Sequence, residues 1–266
     1  MMANKTGANV QMVYVIPKND NNKELFEKED QRAIMKFKDI LQIYKGKNNS
    51  AGTLTFVIKE GKIFEEITNV AKSFDDALVV LSTHGASGFE ELFIGGNAYK
   101  ITSHSKTPII TVRKSEKSSN INKIVLPLDI TFQTREKVPY TVKLAKKFNS
   151  EIHILSIRRS NFKSIEKKLL QYVNQVASYI ENQKIHYTIE HLHGHNLTDI
   201  TLDYAISVKA DLISIMAEQE KSVFNLLLGS YAHQMINKAC IPVLSFPNYQ
   251  LSITSEDIWD LGAFNV

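Results

Sequence analysis

The residues best suited to chemistry lie in a glycine-rich run in the first half of the chain. The run begins at the carboxyl end of an apolar segment, and nine residues later two glycines open a predicted helix. Its members are Ser82, Thr83, His84, Gly85, Gly95, Gly96 and Asn97. Glycine lets a backbone approach a ligand closely, and a helix start presents N–H groups that suit phosphate. Two tight turns would use the same glycines, so both interpretations stay open.

Three histidines at alternate positions form a second polar cluster. On a strand, His191, His193 and His195 would point the same way, and histidine is a common transition-metal ligand. Alternate strand residues are about 7 Å apart, which is long for one ion, and no cysteine or carboxylate stands at a ligand spacing nearby. We therefore expect a half-exposed strand end and no metal site.

The motifs of common enzyme classes do not occur in the sequence. It has no Gly-x-x-x-x-Gly-Lys loop, no Gly-x-Ser-x-Gly elbow and no His-Glu-x-x-His. The single cysteine, Cys240, stands next to an apolar segment, so a buried structural thiol is expected. His84 fits a phosphate contact and a turn equally well. The sequence predicts no catalytic residue, and we expect no enzyme.

The elements that must position these residues recur in two copies. The matched segments are 77–81 with 211–215, 92–95 with 226–229 and 108–110 with 242–244 at an offset of 134, and 10–15 with 152–157 at an offset of 142. The second half is therefore eight residues longer between these two sets of matches. The extra residues fall in a predicted helix, which spans 162–182 in the second half and 25–44 in the first. An offset that stays constant across strands, a loop and a helix indicates an internal repeat.

The first copy lacks its opening elements. The second copy begins with an apolar strand at 123–129 and an amphipathic helix at 134–148. A shift of 142 residues puts this strand before Met1 and leaves only the last helical turn, near Ala3. Our hypothesis is that the true start lies about 20 residues earlier, the length of the lost strand and helix segment. Otherwise we expect a rearranged sheet or a strand donated by a partner.

Strand and helix alternate in each half, and the strands are continuous apolar runs. This pattern predicts an α/β protein of two tandem doubly wound domains with parallel sheets, in which ligands bind beyond the carboxyl ends of the strands. The predicted divisions are a first domain at 1–114, a linker at 115–121, a second domain at 122–247 and a tail at 248–266. The tail is apolar, and we expect it to dock on a domain or a partner subunit. Its apolar residues are Leu251, Ile253, Ile258, Trp259, Leu261 and Phe264.

Composition restricts the compartment and the partners. The chain has 32 basic and 28 acidic residues, a net charge of +4 that is too weak to indicate nucleic acid or a membrane surface. No apolar run approaches the roughly 18–20 residues that cross a bilayer. A lone cysteine suits a reducing compartment, so we expect a soluble cytoplasmic protein.

Residues 78–96 and 107–112 resemble the universal stress protein domain, and the second half resembles it at 126–129 and 229–230. The resemblance implies a five-stranded parallel sheet with helices on both sides, related to the adenine nucleotide alpha hydrolases. Nucleotide-binding members carry Gly-x-x-Gly, nine residues and then Gly-Ser or Gly-Thr, with an aspartate ending the first strand. ATP or AMP is therefore the implied ligand.

Carried over residue by residue, neither site is complete. In the first half Gly85 and Gly95 match, whereas Ser82 replaces the first glycine and Gly96 replaces the hydroxyl residue, with the amide of Asn97 one place on. Val15 and His84 are further candidates for this nucleotide site. In the second half the resemblance assigns Pro127, Asp129, Gly229 and Ser230.

The second half departs from the pattern at its glycines. Met216 and Gln219 stand at the glycine positions, and Glu218 and Glu220 flank Gln219. A side chain there crowds the backbone approach, and the two carboxylates repel a triphosphate. Ser230 would also serve as a helix cap, and Asp129 as the cap of a turn or helix.

The resemblance implies a non-enzymatic stress-response module that binds an adenine nucleotide. It also implies that the two domains pair within the chain through their last strands, 108–112 and 242–246, which leaves room for a homodimer as well. The alternative is a nucleotide-free protein-interaction scaffold with decayed sites. A nucleotide-hydrolysing enzyme is the third reading, and it lacks a placed general base.

Overall fold

A computed structural model describes residues 2–18, 23–44, 52–83, 95–113, 120–159, 162–217, 219–221 and 226–247. The chain divides into two compact units, Met1–Ala77 and Leu78–Val266. The predicted tail at 248–266 and most of the predicted linker lie outside the described residues.

The described part of the first unit contains two parallel strands and three helices. Its elements are α1 (Met2–Thr6), β1 (Val10–Ile16), α2 (Lys23–Tyr44), β2 (Leu54–Glu60) and α3 (Ile63–Lys72). Val10 pairs with Leu54, and the register continues to the ends of both strands. Phe37 of α2 stacks on Phe56 of β2, with ring centroids 4.9 Å apart, and fixes α2 on this sheet.

The short helix α1 is the predicted remnant of a longer one. It ends at Gly7, which has φ 69° and donates its N–H to Ala3 O at 2.9 Å. The residue 142 positions later, Asn149, also has a left-handed φ, 56°, and closes the corresponding helix of the second half. A left-handed residue favours glycine or asparagine at a helix end, so the repeat extends to this turn.

The second unit is built on one seven-stranded sheet. Its elements are β3 (Val79–Ser82), α4 (Gly96–His104), β4 (Ile109–Val112), β5 (Lys123–Leu128), α5 (Val138–Phe148), β6 (Glu151–Arg158), α6 (Lys163–Asn182), β7 (Tyr187–His193), α7 (Leu197–Ser207), β8 (Leu212–Ala217), β9 (Gln219–Lys221), β10 (Leu226–Leu228), α8 (Ser230–Lys238) and β11 (Val243–Pro247). The strand order is β3-β4-β11-β8-β5-β6-β7, and all neighbours are parallel except β4 and β11. The predicted α/β class with parallel sheets is confirmed.

The strands of the second half form the centre of this sheet. β5, β6 and β8 are buried almost throughout, as their continuous apolar sequences predict for a parallel sheet covered on both faces. β5 pairs with β6 on one side and with β8 on the other, so the direction of chain progression reverses at β5. Such a switch point opens a crevice at the carboxyl ends of the strands.

The prediction of a continuous helix over 134–148 is wrong at its beginning. A 3-10 helix covers Phe132–Arg135, and α5 begins only at Val138. Pro139 lies in the first turn of α5, where its missing N–H costs no helical hydrogen bond. In a helix that began at Thr134, Pro139 would fall further inside and break that pattern.

The two halves pair through their last strands, as predicted. Val243, Leu244 and Ser245 of β11 pair with Thr111, Ile110 and Ile109 of β4. Ile110 and Leu244 stand at equivalent positions of the repeat and pair with each other, so the two copies meet in a symmetric antiparallel register.

Contacts next to this strand pair reinforce it. The rings of Tyr99 on α4 and His233 on α8 meet edge to face at 5.2 Å, and the Arg113 guanidinium donates to the carbonyl oxygen of Asn237. The Arg113 guanidinium also lies 3.9 Å from the sulfur of Cys240. Cys240 is exposed, so the prediction of a buried thiol is wrong: the residue lies in the turn between α8 and β11.

Two strands of the first half have a partner on only one side among the described residues. Within the described ranges, β1 pairs only with β2, and β3 pairs only with β4. Their counterparts in the second half, β6 and β8, both pair with β5 as well. The described part of the first half therefore contains no equivalent of β5. The domain divisions at 1–114 and 122–247 stay a prediction. The two compact units divide the chain at a different point, since β3 and β4 of the first half belong to the second unit.

Candidate functional site

The crevice at the switch point contains a small cavity. Its walls come from the carboxyl ends of β5, β6 and β8 and from the first turn of α8. Residues in its lining include Pro127, Asp129, Thr134, Lys137, Met216 and Tyr231. The cavity volume is about 20 Å³. About 10–15 Å³ is enough for one water, whereas ligand pockets span roughly 300–1,000 Å³.

Asp129 organises the turn that follows β5. Its carboxylate accepts hydrogen bonds from the N–H and the hydroxyl of Thr131, at 2.8 and 2.6 Å. Its own N–H donates to the hydroxyl oxygen of Thr134 at 3.2 Å. These bonds match the turn cap that the sequence left open as an alternative for Asp129.

A buried lysine next to the cavity is the main residue that sequence reasoning missed. The side chain of Lys137 is only 2% exposed. Its ammonium group donates to the carbonyl oxygen of Thr134 at 2.5 Å and to the Thr134 hydroxyl at 3.2 Å. A buried cation needs such hydrogen bonds to offset its lost hydration. The sequence carried no signal for this burial, because the predicted helix at 134–148 placed Lys137 within its first turn.

Arg135 holds the 3-10 turn of this wall against α6. Its guanidinium lies 3.8 Å from the ring centroid of Tyr172 and donates to the side-chain oxygen of Gln175 at 2.6 Å. Burial lowers the pKa of Arg135, and the electrostatic interaction with Tyr172 partly offsets that change. This stacked cation fixes the wall to the neighbouring helix.

The predicted phosphate-binding helix starts have the same geometry in both halves. Gly95 precedes α4 with φ −56° and ψ 140°, and Gly229 precedes α8 with φ −57° and ψ 149°. Neither helix start has a side-chain cap hydrogen bond, and Gly96 and Ser230 are both exposed. Ser230 is the first residue of α8 and is not its cap, so the N-cap interpretation of Ser230 is wrong.

Close packing favours the glycine before α4. Its φ is available to any residue, so positive φ plays no part here. The N–H of Gly95 donates to Thr83 O at 2.8 Å, and a β-carbon on Gly95 would lie 3.3 Å from the same oxygen. The glycine therefore lets α4 begin directly beside the end of β3.

The segment after β8 forms a small antiparallel ribbon. Gln219 of β9 pairs with Leu228 of β10, and β10 lies beside α4. In the resemblance, this segment corresponds to the glycine loop. His84 and Gly85, the equivalent positions in the first half, lie outside the described residues.

The other predicted site residues fall in different places. Ser82 is the last residue of β3, and Asn97 is exposed in the first turn of α4. Val15 is buried in β1 of the first unit. The structure thus brings Pro127 and Asp129 to one cavity beside the start of α8, while their role in binding stays a prediction.

The histidine cluster lies on and after the edge strand β7. His191 and His193 are exposed, and the rings of His193 and His195 are 6.3 Å apart. Across the part of the chain that the structure describes, no group of metal-ligating side chains could hold an ion. The same part contains no helix long and apolar enough to cross a membrane.

Comparison with known proteins identifies the family. The model of the universal stress protein family matches residues 1–113 and again residues 120–247. The chain belongs to the universal stress protein family. Both copies of the repeat are thus family domains, as the sequence resemblance predicted. No curated protein sequence matches this family member.

Solved structures agree on the fold. A universal stress protein from Archaeoglobus fulgidus has a TM-score of 0.73 at 16% identity, covering 91% of this chain and 88% of its own. A functionally unknown protein from Pseudomonas aeruginosa has a TM-score of 0.63 at 11% identity, covering 92% of this chain and 84% of its own. At this identity the likeness supports the tandem fold alone.

Proposed function

We propose that this member of the universal stress protein family works as a cytoplasmic stress-response module that binds other proteins, without enzymatic activity. In this proposal the second half keeps the family fold but does not hold a nucleotide. The cavity of about 20 Å³ at the switch point carries the proposal. A cavity of that size takes about one water, so an adenine ring would have to displace its walls.

The groups that fill the crevice support this reading. Met216 is only 6% exposed and occupies a family glycine position at the end of β8. Lys137 lies buried beside it with its ammonium group bonded to Thr134, and the Asp129 carboxylate is bonded to Thr131. A nucleotide would have to displace the Met216 side chain. It would also compete with Thr131 for the Asp129 carboxylate.

A second candidate function is binding of ATP or AMP after the crevice opens. The first turn of α8 favours it, because Gly229 provides no side-chain cap and Ser230 is exposed beside the cavity wall at Tyr231. Uncapped N–H groups at a helix start attract phosphate.

Purification followed by analysis of released small molecules separates the two candidates. We expect no retained nucleotide, no heat of binding with ATP or AMP at micromolar protein, and no ATP turnover. Retained ATP or AMP, or micromolar affinity for either, would contradict the proposal.

A gain-of-binding variant tests the cause. The double substitution Met216→Gly with Gln219→Gly removes the two side chains that replace family glycines, and we expect it to acquire measurable ATP affinity. Adding Ser230→Asp places a carboxylate at the start of α8, where it competes with phosphate. That triple variant is the control and should lose the acquired affinity.

A further inference from the structure

We infer that the tail at 248–266 docks on the outward face of α6, with its acidic residues beside the lysines at the start of that helix and its apolar residues along the groove that follows the helix. The exposed surface of α6, the topology of the sheet and the composition of the tail each support this assignment.

A long groove follows the outward side of α6. Its volume is about 810 Å³, and among the described residues its lining comes from α6 alone, from Lys163 in the first turn to Asn182 in the last. The 20 residues of this helix span about 30 Å. An open groove as long as the helix suits a segment of chain better than a small molecule, which binds in a concave pocket that buries most of its surface.

Apolar side chains lie exposed on the same side of α6. Leu170 is 41% exposed, and Phe162, the residue just before the first turn, is 72% exposed. Residues that are four or eight positions apart lie on one side of a helix, so these two side chains belong to one face. Covering them would remove apolar surface from water, which favours an occupant that is itself apolar.

The first two turns of α6 are strongly basic. Lys163, Lys167 and Lys168 are all exposed there. Glu166 lies among them, but its carboxylate is paired with the Arg158 guanidinium at 2.7 Å and so does not neutralise the lysines. Positive side chains at the start of a helix are unfavourable, because this end of the helix already carries partial positive charge. Carboxylates on the occupant would relieve that repulsion.

The tail has the complementary composition. It contains Glu256, Asp257 and Asp260 without any lysine or arginine, so its net charge is −3. Its apolar residues are Leu251, Ile253, Ile258, Trp259, Leu261 and Phe264. The acidic residues stand among apolar ones, just as the lysines of α6 stand among Phe162 and Leu170. The two surfaces therefore match in charge and in apolar character.

The topology brings the tail to the correct end of α6. β11, β8, β5 and β6 run parallel, so their carboxyl ends lie at one edge of the sheet. The tail follows β11 after Pro247, and α6 follows β6 from Lys163. Right-handed crossovers place α5 and α6 on the same face of the sheet. Phe246 of β11 contacts Tyr140 of α5, with ring centroids 5.5 Å apart, so its side chain lies on that face as well.

The distance is short enough for the tail to cover. β11 is three strand positions from β6, about 14 Å at the usual spacing, and a packed layer lies about 10 Å above a sheet. The start of α6 is thus roughly 17–20 Å from the end of β11. An extended chain covers about 3.3 Å per residue, so residues 248–255 reach about 26 Å. Glu256 and Asp257 come next in the sequence, beside the lysines.

The single tryptophan of the chain, Trp259, reports docking in the full-length protein. Its emission wavelength and its quenching by acrylamide measure its contact with water, and acrylamide is uncharged, so the lysines do not act on the quencher. A peptide with the sequence of residues 248–266 is the reference for an undocked tail. A tail that is docked about two thirds of the time is quenched about threefold less than this peptide, and we expect at least that protection.

A charge reversal on α6 locates the docking surface. In Lys163→Glu with Lys167→Glu the helix start repels the acidic tail, and we expect the quenching of Trp259 to rise to that of the peptide. The new glutamates suit the helix dipole, so α6 stays folded. The control is Arg32→Glu with Lys36→Glu, which changes the net charge equally at two exposed positions with the same spacing on α2. It should leave the quenching unchanged.

A reversal in the tail tests the pairing itself. Glu256→Lys with Asp257→Lys should release Trp259 in the wild-type background. Combined with the reversal at Lys163 and Lys167 it restores opposite charges, and we expect the protection of Trp259 to return. Raising NaCl from about 0.05 to about 0.5 M should weaken docking in the wild type, because salt screens exposed charges.

A matched pair of substitutions tests the apolar contact. Leu170→Asp places a carboxylate in the groove and should increase the quenching of Trp259. Ile206→Asp is the control, because Ile206 is 59% exposed on α7, which the direction of its crossover places on the opposite face of the sheet. We expect this control to leave the quenching at the wild-type value.

Three results would overturn the inference. The first is quenching of Trp259 in the wild type that equals quenching in the peptide. The second is protection that the α6 reversal leaves unchanged, or that the α2 control abolishes equally, since the tail would then not be held by α6. The third is protection that appears only at high protein concentration together with a dimer in light scattering, which would assign the tail to a second copy.

Discussion

His153 should make the stability of the second unit depend on pH. This β6 residue is 5% exposed, and its Nδ1 lies 3.0 Å from the hydroxyl of Tyr204 on α7. Its Nε2 lies 3.6 Å from a carboxylate oxygen of Glu151. Loss of hydration on burial lowers the pKa of His153, Glu151 opposes that effect, and Lys123 reinforces it.

The direction of the pH effect follows from this lowered pKa. As pH falls, the unfolded chain takes up the proton near the ordinary histidine pKa of about 6.5, before the folded chain does. His153 therefore stabilises the fold fully above that pH, and its contribution decreases as pH falls toward the lowered pKa. The change for one proton cannot exceed about 1.4 kcal/mol per pH unit.

The substitution His153→Gln removes the titrating group. Near pH 7.5 we expect it to lower the free energy of unfolding by about 1 kcal/mol, the value of one buried hydrogen bond, here the one to Tyr204. As pH is lowered to about 5.5, wild type loses stability through His153 and the variant does not, so the two curves converge. Urea unfolding followed by circular dichroism at several pH values measures both effects.

His186→Gln is the control for introducing glutamine. His186 is an exposed histidine directly before β7, and we expect its substitution to change stability by less than about 0.5 kcal/mol. A difference between wild type and His153→Gln that widens as pH falls would refute the reasoning. It would mean that attraction to Glu151 exceeds the cost of burying the charge.

Three further substitutions test the packing, each by urea unfolding. Ser214→Ala should cost about 1 kcal/mol, because it removes the 2.7 Å hydrogen bond to Thr141 between two fully buried hydroxyls; a cost near zero would contradict that bond. Leu244→Ala at the centre of the β4–β11 pair, where Leu244 is 3% exposed, should cost about 2–5 kcal/mol, and a loss under about 1 kcal/mol would mean that the pair contributes little. Asp129→Ala should cost about 1 kcal/mol through the turn bonds to Thr131, with unchanged helix content as the check on folding.

Local pattern in the sequence was enough to predict most elements. Continuous apolar runs predicted β5, β6 and β8, and the periodicity at 162–182 predicted α6, because these signals come from residues that are neighbours in the chain. The start of α5 was missed, although Pro139 marked it. The ribbon of β9 and β10 was also missed, since its strands have only three residues each.

The candidate site was predictable only in part. The sequence placed Pro127 and Asp129 at the carboxyl end of a strand, and both line the cavity. It did not show that Lys137 would be buried beside them. The burial of Lys137 depends on where α5 begins and on the hydrogen bonds to Thr134, neither of which a charge pattern reveals.

The sequence by itself determined the repeat, which follows from comparing one half of the chain with the other, and the family, whose motifs both halves carry. Only the tertiary structure decided two other points. The crevice contains a cavity of about 20 Å³, and among the described residues β3 is the last strand of its sheet, with Val80 exposed. Cavity volume and strand exposure depend on which distant side chains and strands meet, and residue types along the chain do not specify that.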